Sequence, residues 1–163
     1  MHIYGVSFDI VGKQPIVLLK TADGNKFLPI WIGHPEAAAI LMTLQGASTP
    51  RPMTHDLVTE MLSQLEARVT RITVTELRDN TFYASITIQM NGTEIEVDSR
   101  PSDAIALAVR AEAPIFADER VIEESAIEFE GEEVNEEEIV DEFRKFLDQV
   151  SPDEFAVEGE EEV

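Results

Sequence analysis

Twice in this chain a proline stands at the head of a run too apolar to face water. The two runs are Pro35-Glu36-Ala37-Ala38-Ala39-Ile40 and Pro101-Ser102-Asp103-Ala104-Ile105-Ala106-Leu107-Ala108. Proline suits the first helical position because the N–H it lacks would have no partner inside the helix there. Each run therefore predicts a helix that opens at a defined residue. Residues 37–44 are apolar nearly all round, which predicts burial rather than a solvated face. Gly46 is a natural stop for the first helix, and the second is expected to end near Ala113.

Strand patterns precede both helices. Tyr4, Val6, Phe8 and Ile10 alternate with polar or small neighbours, the period of a half-buried strand. Gly12-Lys13-Gln14 turns into the unbroken apolar run Pro15–Leu19, which predicts a strand covered on both faces. Asp23-Gly24 signals a hairpin into Phe27–Ile32, where Pro29 cannot donate a ladder hydrogen bond and so predicts an edge or a bulge. After a loop at 47–53, Thr54 is a suitable N-cap for a helix through Leu57, Met61 and Leu65. Residues 68–77 form the next strand, Asp79-Asn80 turns into Phe82–Met90, and Asn91-Gly92 is the strongest hairpin signal in the chain. Ile115-Phe116 reads as a short extended piece. The pattern predicts an α+β fold, a mixed or antiparallel sheet with packed helices. A weak internal duplication of three strands followed by a Pro-opened helix accompanies it.

One hundred and sixty-three residues suffice for one domain with a real core. The boundary is expected near residue 125, with an acidic segment over 126–163. That segment holds one amphipathic helix, about 135–149, and a disordered end past Pro152. The net charge of −21 is uneven along the chain. Residues 1–111 carry 12 acids and 9 bases, whereas the remainder carries 21 acids and 3 bases. A uniformly acidic surface would repel nucleic acid, whereas a balanced body with an acidic tail need not. The tail serves solubility or competes within the chain for the body's cations. With no cysteine, disulfides and thiolate chemistry are excluded. Neither a signal peptide nor a stretch near the ~20 apolar residues of a membrane span is visible, so a cytoplasmic protein away from membranes is expected.

Most polar candidates collect at three helix mouths: His34 and Glu36; Thr54, His55 and Asp56; Arg100, Ser102 and Asp103. Unpaired N–H groups and a partial positive charge suit such mouths to phosphate or carboxylate. The same physics gives each carboxylate a purely structural use, worth about 0.3–1 kcal/mol to its own helix. His55 is harder to explain as scaffold, since capping does not need it and a neutral imidazole can bind metal or move protons near pH 7. Arg100 stays charged, so its options are an ion pair or a phosphate contact. Arg51, between two prolines, is likewise held out for a partner. Trp31, the only tryptophan, serves packing or base stacking. There is no P-loop, dinucleotide fingerprint, Ser nucleophile elbow or HExxH, and no basic stripe with interleaved aromatics.

Three blocks resemble the bifunctional nuclease domain family. They are Leu28-Pro29-Ile30-Trp31-Ile32-Gly33 with Glu36-Ala37, Pro50-Arg51-Pro52-Met53-Thr54-His55-Asp56-Leu57, and Asp98-Ser99-Arg100-Pro101-Ser102-Asp103-Ala104-Ile105-Ala106-Leu107-Ala108. The resemblance covers roughly residues 1–125 and implies degradation of DNA and RNA, an α+β fold and a homodimer. Carried over residue by residue, it implicates Trp31, Glu36, Arg51, Thr54, His55, Asp56, Arg100, Ser102 and Asp103. Some members append a small helical interaction domain; the acidic C-terminus here does not imply that role.

The leading expectation is a metal-assisted phosphodiesterase with nucleic acid as substrate. Asp56, Asp103 and Glu36 would hold a divalent cation, Mg²⁺ or Mn²⁺, and no organic cofactor is expected. His55 would activate or orient water, Arg100 and Arg51 would steady phosphate, and Trp31, Thr54 and Ser102 would contact substrate. The rival is a non-catalytic homodimeric binding or regulatory module whose His, Asp and Arg residues form a structural ion-pair network or anion site.

Overall fold

The computed structural model describes residues 1–8 and 13–128. Ile10, Gly12 and the helix and disordered end expected beyond residue 134 lie outside the described residues. The order is β1 (His2–Phe8), β2 (Pro15–Lys20), β3 (Lys26–Trp31), α1 (His34–Leu44), α2 (Thr54–Gln64), β4 (Ala67–Arg78), β5 (Thr81–Met90), β6 (Thr93–Ser99), α3 (Pro101–Ala111), β7 (Ile115–Ala117), α4 (Glu119–Ser125) and β8 (Ile127–Glu128). Strands build two sheets, β1-β2-β3-β8 and β6-β5-β4-β7. All pairings are antiparallel except β4 with β7. The architecture is α+β, as the sequence predicts.

Turn chemistry sets the registers. Met90 pairs with Thr93, leaving a two-residue loop in which Asn91 and Gly92 both have positive φ, 51° and 77°. Asp79 and Asn80 do the same between Arg78 and Thr81, at 50° and 57°. Such turns match the right-handed twist of the flanking strands. Pro29 pairs with Leu18, and β8 reaches only Lys26 and Phe27 on the other side. The proline therefore sits where the outer edge of the sheet has no ladder partner, as expected.

The main core lies between the sheets and the helices. Val17, Leu19, Leu28 and Ile30 of the first sheet meet Val69, Ile72, Val74 and Ile86 of the second, with α3 threaded among them. Ala104, Ile105, Ala106, Leu107 and Ala108 are all buried, so α3 is the central helix. On the opposite face of the first sheet, Ile16, Leu18 and Phe27 form a second cluster, which explains why β2 is apolar without a break from Pro15 to Leu19.

Two expectations are corrected, and one helix is added. In α1 only Ala37 and Ile40 are fully buried, because Ala38, Ala39 and Met42 wall a cleft instead. Thr54 is not the N-cap of α2: Met53 caps, and its N–H donates to Asp56 Oδ2 at 2.9 Å. The acidic stretch after Asp118 holds α4, which Asp118 caps by accepting the N–H of Arg120 at 3.0 Å.

Candidate functional site

Three helices meet at their N-termini because α3 packs against both α1 and α2. Their mouths open onto one cleft of about 650 Å³, lined by Glu36, Thr54, His55, Asp56, Arg100 and Asp103. These are six of the nine residues singled out in the sequence. At its centre His55 Nε2 lies 2.9 Å from Asp103 Oδ1. Arg100 donates through Nε to Asp103 Oδ2 at 2.8 Å and through Nη2 to Glu36 Oε1 at 2.9 Å. A continuous chain His55–Asp103–Arg100–Glu36 thus joins all three mouths.

Position in the helices explains the chain. Asp103 is the third residue of α3 and Arg100 its N-cap, so the two share one face three residues apart. Gly33 caps α1 and has no Cβ, and a methyl there would collide with the Glu36 carboxylate. The absent side chain lets Glu36 fold back towards Arg100. The side chains of His55 and Glu36 are 12% and 14% exposed, whereas that of Arg100 is 66% exposed. Arg100 is consequently the most exposed member of the chain, ahead of Asp103 at 31%.

Electrostatics follow from these contacts. Burial pushes the Asp103 carboxyl up, but hydrogen bonds from Arg100 and His55 outweigh it and hold the group below its ordinary 3.8. Asp103 is therefore a carboxylate at neutral pH, suited to orient an imidazole. The Arg100 guanidinium is pushed further above its ordinary range, chiefly by its hydrogen bond to Asp103.

Asp56 shares the cleft but belongs to a different set of contacts. Its Oδ1 accepts from Arg110 Nε at 2.6 Å, and its Oδ2 accepts from the Met53 N–H. The Met53 N–H first and Arg110 second hold its carboxyl below the ordinary value. Arg110 also donates to the carbonyls of Ala106 and Ala39, at 2.8 and 3.1 Å. One buried guanidinium therefore fastens α1, α2 and α3 together. Sequence reasoning passed over Arg110, although a signal existed: it is the one cation in a buried apolar helix, seven residues and two turns beyond Asp103 on the same face.

The remaining candidates fall elsewhere. Trp31 ends β3, half-buried against the Ile16–Leu18–Phe27 cluster. With Ser102 it lines a neighbouring cavity of about 440 Å³, which Arg100 also borders. Arg51 is exposed on the 47–53 loop, where its carbonyl accepts from Thr49 Oγ1 at 2.6 Å.

The donor set fits a divalent cation poorly as it stands. Both oxygens of Asp56 and both of Asp103 already accept hydrogen bonds, and Glu36 is committed to Arg100. Among the described residues no three His, Cys, Asp or Glu side chains are grouped as a metal would need. A cation at this site would have to displace Arg100 or Arg110.

The family model for the bifunctional nuclease domain matches residues 17–130. An uncharacterized protein of Mycobacterium tuberculosis is 37% identical over 161 residues, covering 95% of this chain and 96% of its own length. The proteins named Bifunctional nuclease 1 of Oryza sativa subsp. japonica and of Arabidopsis thaliana are 30% and 29% identical over 109 and 106 residues. Those stretches are 64% and 63% of this chain but only 33% of each plant protein. The family match takes in β2 from Val17 onward, β3 and every element from α1 to β8, and with them the helices that carry His55, Asp103, Arg100 and Glu36. On that span, the chain belongs to the bifunctional nuclease domain family.

Proposed function

We propose that this chain hydrolyses phosphodiester bonds of DNA and RNA in the cleft where the three helices meet. The observation that carries the reading is the 2.9 Å contact between His55 Nε2 and Asp103 Oδ1. A carboxylate that accepts Nε2–H leaves Nδ1 of a neutral imidazole as a proton acceptor. His55 then takes the proton of an attacking water as its oxygen bonds to phosphorus and the bond to the leaving oxygen breaks. Arg100 is the phosphate contact: two carboxylates fix it, its side chain is largely exposed, and Nη1 has no partner among the described residues. Asp56 positions the first turn of α2 through Met53 and Arg110, Thr54 borders the approaching substrate, and Arg51 supplies a second cation on the loop.

Divalent-cation assistance by Mg²⁺ or Mn²⁺ belongs to the proposal only as an arm of its test, since Glu36, Asp56 and Asp103 are committed to arginines. The homodimer is likewise proposed; Leu57 and Met61 on α2 and Leu65 at its C-terminal cap, each at least half exposed, support it, and sedimentation equilibrium checks it. A cytoplasmic setting is proposed with it. No helix among the described residues is long and apolar enough to cross a membrane.

The test is cleavage of end-labelled single- and double-stranded DNA and RNA, with Mg²⁺, Mn²⁺ or a chelator, by wild type, His55→Ala and Asp103→Asn. Wild type cleaves, and each variant loses about 10²–10⁴-fold, the usual worth of a positioned acid or base. Undiminished cleavage by His55→Ala overturns the proposal. The neutralisation of Glu36 and Asp103 by one arginine favours a second reading, a non-catalytic anion-binding module. It predicts binding without turnover by wild type.

A further inference from the structure

Behind Arg100, on the side away from His55, lies the cavity of about 440 Å³ bordered by Trp31, Phe82, Asn80, Ser102 and Arg100. Its volume is that of a small-ligand site. Two half-buried aromatic rings, Trp31 and Phe82, supply apolar wall. In a chain with a net charge of −21, no carboxylate borders it among the described residues. Glu36, which lies against Gly33 at its edge, is paired with Arg100.

Polar chemistry converges on the same space. The first turn of α3 opens here, and Pro101 leaves the N–H groups that follow it at the helix mouth. Ser102 borders the cavity and, although the residue is only 6% exposed, its hydroxyl makes no hydrogen bond among the described residues and is not one of their buried unpaired atoms, so it stays open to solvent. A helix mouth, an accessible hydroxyl without a protein partner and a guanidinium form an anion cradle, and the aromatic wall beside it suits the flat face of a base.

We infer that this cavity is a nucleotide subsite, holding one base and its phosphate from a single strand whose next phosphodiester lies across Arg100 in the hydrolytic cleft. Arg100 borders both spaces and would contact both phosphates. The substrate class is thereby single-stranded nucleic acid or an unpaired end, because a base stacked against Trp31 must leave its duplex. The inference rests on the hydrolytic reading for its neighbour, though the subsite has a readout of its own.

Trp31 is the only tryptophan, so tryptophan emission comes from a single ring on the wall of this cavity. The full chain carrying His55→Ala, which leaves probes intact, is titrated with 5′-phosphorylated dithymidylate, thymidine 5′-monophosphate, thymidine, inorganic phosphate and a blunt duplex. The dinucleotide quenches Trp31 emission and binds about tenfold tighter than the mononucleotide, since it spans both spaces. Ser102→Ala weakens it about tenfold, the loss of one hydrogen bond to a charged group. Ser102→Asp, which sets a like charge against the phosphate, weakens it further.

An unchanged emission with the dinucleotide overturns the subsite. So does quenching by thymidine alone that Ser102→Ala and Ser102→Asp leave untouched. A mononucleotide that binds as tightly as the dinucleotide makes the cavity a free-nucleotide site, and a duplex that quenches as strongly as the single strand removes the strand preference. Ser102-dependent quenching in a wild type that cleaves nothing leaves the subsite standing and brings down the hydrolytic reading. Cleavage by a wild type whose Trp31 stays silent does the reverse.

Discussion

Arg110 of α3 donates to Asp56 of α2 across 2.6 Å, and the guanidinium is only 8% exposed. The contact sets the first turn of α2, and His55 is the neighbour of Asp56 in that turn. Because Arg110 also donates to carbonyls of α1 and α3, its removal takes one donor from each of three acceptors at once. Arg110→Met is expected to lower stability by about 2–3 kcal/mol, the scale for losing hydrogen bonds to a charged group. Urea unfolding measures it. A shift below about 0.5 kcal/mol, the range of an ordinary surface change, would mean the helices are held by packing alone.

Acid should act on the same contacts. Asp56 and Asp103 both have their pKa lowered in the fold from 3.8. A carboxyl depressed in the folded state adds stability above its unfolded pKa and loses it as pH falls through the folded value. Wild type is therefore expected to lose stability as pH drops below 3.8, and Asp56→Asn to show a shallower loss over that window. Unfolding midpoints between pH 7 and pH 3 check this. Parallel curves for the two proteins would contradict it.

Gly33 offers a change that touches the site and spares the fold. A methyl at this position meets the end of the Glu36 side chain, which can swing aside. Gly33→Ala should cost under about 1 kcal/mol, yet release Glu36 from Arg100. Cleavage is then expected to fall about tenfold, since the phosphate contact is no longer held in place. A variant as active as wild type would show that Glu36 does not help to position Arg100.

Much of this arrangement was legible in the residues themselves. Proline at the head of α1 and α3, Asn91-Gly92 and Asp79-Asn80 each act through local backbone chemistry, so they mark boundaries without knowledge of the rest of the chain. The three helix mouths were likewise visible, because His55, Arg100 and Asp103 are local to their helix starts. Which mouth residue meets which was not legible. Asp56 and Asp103 look alike as first-turn acids, yet one pairs with Arg110 and the other with Arg100 and His55. That choice depends on how α2 lies against α3, a tertiary fact. The burial of α1 was misjudged for the same reason: apolarity does not say that Ala38, Ala39 and Met42 would face a cleft. In α4 the acidic composition masked a short helix whose cap, Asp118, was in plain view.

The central claim is that His55 and Asp103 act as one unit, and a double-mutant cycle on kcat/KM for single-stranded substrate tests it most directly. Groups that work together are strongly non-additive. The account predicts that His55→Ala/Asp103→Asn is no slower than His55→Ala alone. Losses that multiply across the two substitutions, or a His55→Ala protein that cleaves at the wild-type rate, would contradict it.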